Sequence, residues 1–413
     1  MASLPPEIIG EIALTLSGRD KIQQFPLVSR IFRDVFQPRL YDGLVFIYGE
    51  APSVHDTITR GGTIVPVHNT PLLLRTISKR PELVEHTRLL SLSLYGILDD
   101  EHLPKLLTSL PNLRRFDLAG SMNQGQEWSF LDKEARDAIA TVCQRPTLRS
   151  LFLSGFMALP SSLLRTSHQL ESLVVWYVSL FTKGDPGADI VEDFNLNREQ
   201  DQLPSIHFQG LRRVECAYYP IFNKHQWLMT AVQSSCESAS LRTLALVVTS
   251  SENWGLFEGS GPFGEPFDLA LAKNLKVLNL KGVGCKACPD DELALEFFAS
   301  FCHFAYTTVA SVQESAALDT LSLSYDARHS PEFFHLPHFE AIPEWKQLWG
   351  MVGRKRLRKH LGLIKVSFDV SFDPITPEQR PFTVLHIKHY MSQLAPDVDV
   401  SVSFLDPSQV APV

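Results

Sequence analysis

One spacing constrains this chain more than any other feature. An apolar residue is followed by two others, an apolar residue, one other and an apolar residue, and the pattern recurs across most of the sequence. The copies are Leu89-Leu92-Leu94, Leu113-Phe116-Leu118, Leu148-Leu151-Leu153, Leu170-Leu173-Val175, Leu211-Val214-Cys216, Leu241-Leu244-Leu246, Leu275-Leu278-Leu280, Leu318-Leu321-Leu323 and Leu363-Val366-Phe368. Their starts lie about 22 to about 45 residues apart, with a mean of about 34. A final alternating run, Val398, Val400, Val402 and Phe404, closes the series. Apolar residues at alternate positions mark short half-buried strands. A single strand unit cannot bury its own apolar face, so the copies must stack.

Between copies the spacing becomes helical. The clearest segments are 130–144, 223–237, 290–313 and 344–361. The third begins with acidic residues and carries Leu293, Phe297, Phe298, Phe301 and Phe304 at three- and four-residue spacing, as a core-facing helix does. Strands alternating with helices imply parallel pairing. A solenoid, an eight-stranded barrel and an open doubly wound sheet all fit that order. The last two bury both strand faces and need almost continuously apolar strands. Here Ser91 and Ser93 flank Leu92, Arg115 and Asp117 flank Phe116, Arg213 and Glu215 flank Val214, and Lys365 and Ser367 flank Val366. One wet face and one covered by helices is the expectation, which favours an α/β solenoid.

The first forty residues are different. Ser3-Leu4-Pro5-Pro6-Glu7 reads as a helix start, since proline tolerates the first turn and an acid suits its positive end. Ile8, Ile9, Ile12, Ala13 and Leu16 share one face, and Phe25, Val28, Ile31, Phe32, Val35 and Phe36 make a second stripe that Gln37-Pro38 ends. So few residues cannot cover so much apolar surface by themselves. The ordered blocks Leu4-Pro5-Pro6-Glu7-Ile8-Ile9, Ile12 with Leu16, Leu27-Val28-Ser29-Arg30-Ile31-Phe32-Arg33 and Pro38-Arg39-Leu40-Tyr41 resemble an F-box. Pro26 departs from the family's uninterrupted second helix, and Tyr41 stands where many members carry Trp.

The repeats in turn resemble leucine-rich repeats. They are longer than the 20–29 residues usual for that family, and lack the Asn or Cys that normally follows the third apolar residue. Together the two resemblances are similar to an F-box protein with irregular leucine-rich repeats, of the fungal type. They imply a short N-terminal all-α F-box over residues 1–42, a linker and cap over 43–88, a leucine-rich-repeat solenoid of curved parallel sheet with outer helices over 89–405, and a tail over 406–413. They imply further that the chain is the substrate-recognition subunit of a Skp–cullin–F-box ubiquitin ligase. Leu4, Pro5, Ile8, Ile9, Ile12, Leu27, Val28 and Phe32 would then contact the Skp-type adaptor, and the repeats would hold a protein substrate. The chain would perform no bond chemistry and need no cofactor. A plain helical cap on a non-ligase interaction scaffold also fits the amphipathic stripes.

Charge narrows the partners. Lys and Arg number 38 against 46 Asp and Glu, a formal net charge of −8. An acidic chain does not attract phosphate polymers as a whole, so nucleic acid is not an expected partner. No run of about 18 apolar residues is present, so no membrane span is expected. The first twenty residues lack the basic start of a secretory leader, and six irregular cysteines suit reduced thiols in the cytosol or nucleus.

The wet strand face is the expected binding surface. Alternation places Tyr95, Arg115, Phe152, Trp176, Arg213, Glu215 and Lys281 on it, with aromatics beside charges as in protein interfaces. Other motifs carry less. Cys285-x-x-Cys288 with Cys302 and His303 has zinc-ligand letters, yet adjacent helical residues point about 100° apart, so no metal is expected. Gly259-Ser260-Gly261-Pro262-Phe263-Gly264 lacks the strand and helix of a dinucleotide loop. The basic run from Arg354 to Lys359 suits a helix C-terminus before Gly362. No nucleophile elbow, phosphate loop or paired metal-binding histidines appear.

Overall fold

The computed structural model describes residues 41–48, 63–65, 67–94, 100–120, 126–157, 159–160, 162–165, 169–178, 180–181, 208, 210–218, 226–249, 266–283, 291–312, 316, 318–326, 342–352, 363–369, 385, 389 and 399–405. The architecture is mixed α/β, with extensive parallel sheet and several helices. It divides into two compact units. Unit 1 comprises Met1–Leu170 and Val178–Pro204, and unit 2 comprises Glu171–Tyr177 and Ser205–Val413.

In unit 1 the sheet strands are β1 (Gly43–Tyr48), β2 (Thr63–Ile64), β3 (Leu89–Leu94), β4 (Arg115–Ala119) and β6 (Ser150–Ser154). They pair in parallel in the order β2-β1-β3-β4-β6. Two short parallel pairs accompany them: β5 (Gln126–Glu127) with β7 (Phe156–Met157), and β8 (Leu159–Pro160) with β10 (Leu180–Phe181). The unit's helices among the described residues include α1 (Thr70–Lys79), α2 (Leu103–Thr108), α3 (Lys133–Cys143) and α4 (Ser162–Arg165). In α1, Pro71 occupies the first turn, where its missing N–H costs nothing, and Thr70, Leu73 and Ile77 form the buried stripe. In α3 the Asp132 carboxylate accepts a 2.7 Å bond from the Ala135 backbone N–H, and Ala135, Ala138, Ile139 and Val142 are buried at offsets of 0, 3, 4 and 7.

Unit 2 runs β9 (Ser172–Trp176), β11 (Arg213–Tyr218), β12 (Thr243–Thr249), β13 (Val277–Val283), β14 (Thr320–Asp326), β15 (Leu363–Asp369) and β16 (Asp399–Leu405), paired in that order and all parallel. Its helices are α5 (Gln226–Glu237), α6 (Asp291–Ala310) and α7 (Pro343–Val352). Leu244, Leu246, Leu278, Leu280, Leu321, Leu323, Ile364 and Val366 are at most 3 % exposed. The ring of Phe298 on α6 meets Tyr325 of β14 edge-on at 4.9 Å and lies 5.4 Å from Trp345 of α7, so the helices cover this strand face. Each such leucine contributes about 2 kcal/mol by leaving water.

The pairing register corrects two copies of the repeat. Phe116 and Leu118 pair with Leu90 and Leu92, so the first copy is Thr87-Leu90-Leu92 rather than Leu89-Leu92-Leu94. Thr87 is fully buried in the slot that leucine fills elsewhere. In the same way Leu321 and Leu323 pair with Ile364 and Val366, not with Val366 and Phe368. Both slips are of two residues, which keeps every side chain on its expected face. At the other end β1 lies within the sheet, flanked by β2 and β3.

A side-chain ladder joins copies at the start of the strands. Asn112 donates to the Glu85 carbonyl at 3.2 Å, Thr147 to Pro111 at 3.4 Å, Ser240 to Leu211 at 2.9 Å and Asn274 to Ala239 at 2.7 Å. Each donor immediately precedes the first leucine of its copy. Arg145 adds bonds to the carbonyls of Leu107, Thr108 and Leu110, closing the end of α2. Turn carbonyls are thus satisfied at the strand N-termini, in place of an asparagine row at the other end.

Candidate binding face

The wet-face expectation holds in unit 2 and fails in unit 1. In unit 2 burial alternates along β9, β12 and β13, with every second side chain only partly covered. In unit 1 the corresponding residues are closed: Ser91, Asp117 and Ser154 are 0 % exposed, Ser93 2 % and Phe152 7 %. Serine is small enough to disappear between neighbours. Asp117 is buried because it is paired: Arg115 Nε donates to its Oδ1 at 2.9 Å and Nη2 to its Oδ2 at 3.0 Å. The hydroxyls of Ser91 and Ser154 have no hydrogen-bond partner among the described residues. Polar letters marked a buried polar layer here, not solvent.

This relocates the expected surface. Phe152 is covered, so it does not serve as an exposed anchor, whereas the Arg115 side chain holds the buried Asp117 carboxylate and stays 42 % exposed. Tyr95 lies outside the described residues, as do the eight residues assigned to the adaptor. Trp176, Arg213, Glu215 and Lys281 all belong to unit 2 and share one strand face by register. Ser172, Arg213, Thr243, Val277, Thr320 and Leu363 form one row across it. Val174, Glu215, Ala245, Asn279, Ser322 and Lys365 form the next. Trp176, Ala217, Val247, Lys281, Ser324 and Ser367 form the third.

The rows divide the face chemically. Over β9 to β12 it is apolar, with Val174, Trp176, Ala245 and Val247 partly exposed, and its charges are the Arg213–Glu215 pair at 2.7 Å. Over β13 to β15 it is cationic and hydroxylic. Lys365 is exposed and Lys281, Asn279, Ser322, Ser324 and Ser367 are partly so. Ser367 donates to Ser324 at 3.0 Å, leaving the Ser324 hydroxyl hydrogen uncommitted. Neither lysine makes an ion pair with a described residue. Such a face binds by area, charge and hydrogen bonding. Alternation in the sequence already places Asn279, Lys281 and Lys365 on this face and Ser322 and Ser367 beside the buried residues of their strands, and Ser324 completes the set.

The remaining reactive groups are closed off. Burial pushes the Cys143 and Cys236 thiols up to about 12, nearby carboxylates adding to the effect at Cys236. Burial also pushes the Cys216 and Cys302 thiols well above the usual range, with Glu215 and Glu344 respectively adding to the effect. Cys302 is fully buried while His303 is exposed, so the two neighbours cannot share an ion. Cys285 and Cys288, the glycine-rich segment 259–264 and the basic run 354–359 lie outside the described residues. Among the described residues no cluster of three or more His, Cys, Asp or Glu is placed to hold a metal, and no helix is long and apolar enough to cross a membrane. Tyr48 donates to Asp100 at 2.8 Å, and burial followed by that carboxylate raises its phenol well above the usual range. No protein-family model matches the chain, and no curated protein is similar to it.

Proposed function

We propose that this chain is a substrate-recognition subunit of a Skp–cullin–F-box ubiquitin ligase, working in the cytosol or nucleus. Residues 1–42 dock the Skp-type adaptor through Leu4, Pro5, Ile8, Ile9, Ile12, Leu27, Val28 and Phe32. The body is an irregular leucine-rich-repeat array that holds a protein substrate. The observation that carries the binding half is the half-open strand face of unit 2, where an apolar region adjoins two lysines with no ion-pair partner among the described residues. The adaptor half is supported by the four ordered sequence blocks of the first 41 residues. The chain contributes proximity: holding a substrate beside a charged conjugating enzyme raises the effective concentration of its lysines.

The amphipathic stripes of the first forty residues also suit a second reading, a non-ligase scaffold whose N-terminal helices pack as a cap. Co-purification with a Skp-type adaptor separates the two. The ligase reading expects a stable complex that Val28→Asp or Ile9→Asp abolishes while the strand–helix body stays folded by circular dichroism. No complex at micromolar concentration supports the scaffold.

A further inference from the structure

We propose that the strand face of unit 2 selects an extended peptide in which an apolar side chain precedes acidic residues at a fixed spacing. This deepens the substrate-receptor reading, because it gives the chemistry of the bound segment. Three observations carry it, and all lie within unit 2.

The first is position. Trp176 and Lys281 occupy the same register row, on β9 and β13. Three strand spacings separate them, about 14 Å, which an extended peptide crosses in about four residues. Lys365 stands two strands further and one row back, about 12 Å from Lys281 and a further three to four residues along. A peptide crossing the strands with an apolar residue against Trp176 therefore brings its fourth or fifth following residue to Lys281, and its eighth to Lys365.

The second is charge. In the two rows containing the lysines, β13 to β15 present Asn279, Ser322, Ser324 and Ser367 and no carboxylate. The nearest acids in register are Asp326 and Asp369 one row beyond and Asp399 of β16 one row before, so the cationic strip is two rows deep. Two lysines without ion-pair partners among the described residues, on a chain of net charge −8, form a local reversal of sign. Such a reversal steers an acidic segment and rejects a basic one.

The third is polarity of direction. Glu215 sits on β11 beside the apolar region, its carboxylate held by Arg213 at 2.7 Å. An acidic residue placed there meets an ion pair whose charges already cancel, whereas at β13 to β15 it meets lysine and hydroxyl donors. The peptide's acidic end is thereby directed to the β15 side. Two lysines are too few to hold a phosphate polymer, and the cationic half offers no aromatic platform for bases, so a peptide is favoured over nucleic acid.

The test is selection of a displayed random 12-residue peptide library on the full-length chain, followed by fluorescence anisotropy of an enriched peptide. The expected result is enrichment of an apolar residue followed at the fourth or fifth position by Asp or Glu, with affinity that falls as salt rises. Lys281→Glu with Lys365→Glu should weaken binding about tenfold, without moving the thermal transition. Lys281→Gln with Lys365→Gln serves as the milder pair if the reversal disturbs folding, and should weaken binding in the same direction. Enriched peptides without acidic bias, affinity unchanged in both double variants, or displacement of the peptide by a single-stranded oligonucleotide would each overturn the proposal. Adaptor binding is measured on the same preparation, so loss of that interaction alone rejects the ligase reading and leaves the peptide result standing.

Discussion

Ala239 is an alanine in a glycine's place. It follows α5 with φ at 52°, where the Cβ of an L-residue crowds its own backbone. Its N–H donates to the Cys236 carbonyl at 2.9 Å, and the Ser240 N–H to Ser235 at 3.1 Å, so the chain is committed to that turn. Ala239→Gly should stabilise unit 2 by about 0.5–1 kcal/mol, read as a higher urea midpoint. Buried thiols give a pH prediction. The folded pKa values of Cys143 and Cys236 stand at about 12, above the ordinary value of 9.0. For acids raised in the folded state, stability is fully present below pH 9 and is lost as pH rises toward 12, because the unfolded chain releases protons first. Urea midpoints should be level from pH 7 to about 8 and fall beyond 9, and an alkylating reagent should label these two thiols only on unfolding. Labelling of the native chain at neutral pH contradicts the burial.

At the scale of elements, the α6–β13 contact leaves no room for a side chain at Gly282. A Cβ on Gly282 would stand 2.6 Å from Phe301 Cδ2 and 2.8 Å from Tyr325 Cδ2. Neither ring can retreat freely, since Phe298 also packs on Tyr325. Gly282→Ala should cost unit 2 about 1–3 kcal/mol, seen in denaturant melts, and an unchanged melt would show that α6 sits elsewhere. The elements themselves were largely legible. α3, α5, α6 and α7 lie within the segments whose apolar spacing marks helices, apart from Pro343 one residue outside. α2 was not, because Pro104 reads as a break when it is a first-turn proline. Thr87 hid the first copy's frame, as a hydroxyl residue in an apolar slot. Leu361, Leu363 and Ile364 offer competing choices for the last. The strand-start ladder was missed although its donors, Asn112, Thr147, Ser240 and Asn274, stand one residue before each leucine.

For the molecule as a whole, the binding surface was legible only in part. Alternation placed Trp176, Arg213, Glu215 and Lys281 on one face, and the register agrees. The same rule treated Ser91, Asp117 and Phe152 alike, and there it failed. A paired carboxylate and small hydroxyls can be buried as readily as exposed, and letters alone do not distinguish the two cases. The proposed function joins that face to an adaptor-binding head, and the two halves are separately testable. The most direct measurement is the affinity of a purified Skp-type adaptor for the full-length chain and for its Val28→Asp variant. Binding at micromolar or tighter by the wild type, weakened about a hundredfold in the variant with helix and sheet content preserved, is the expected result. No binding by the wild type, or equal binding by both, contradicts it.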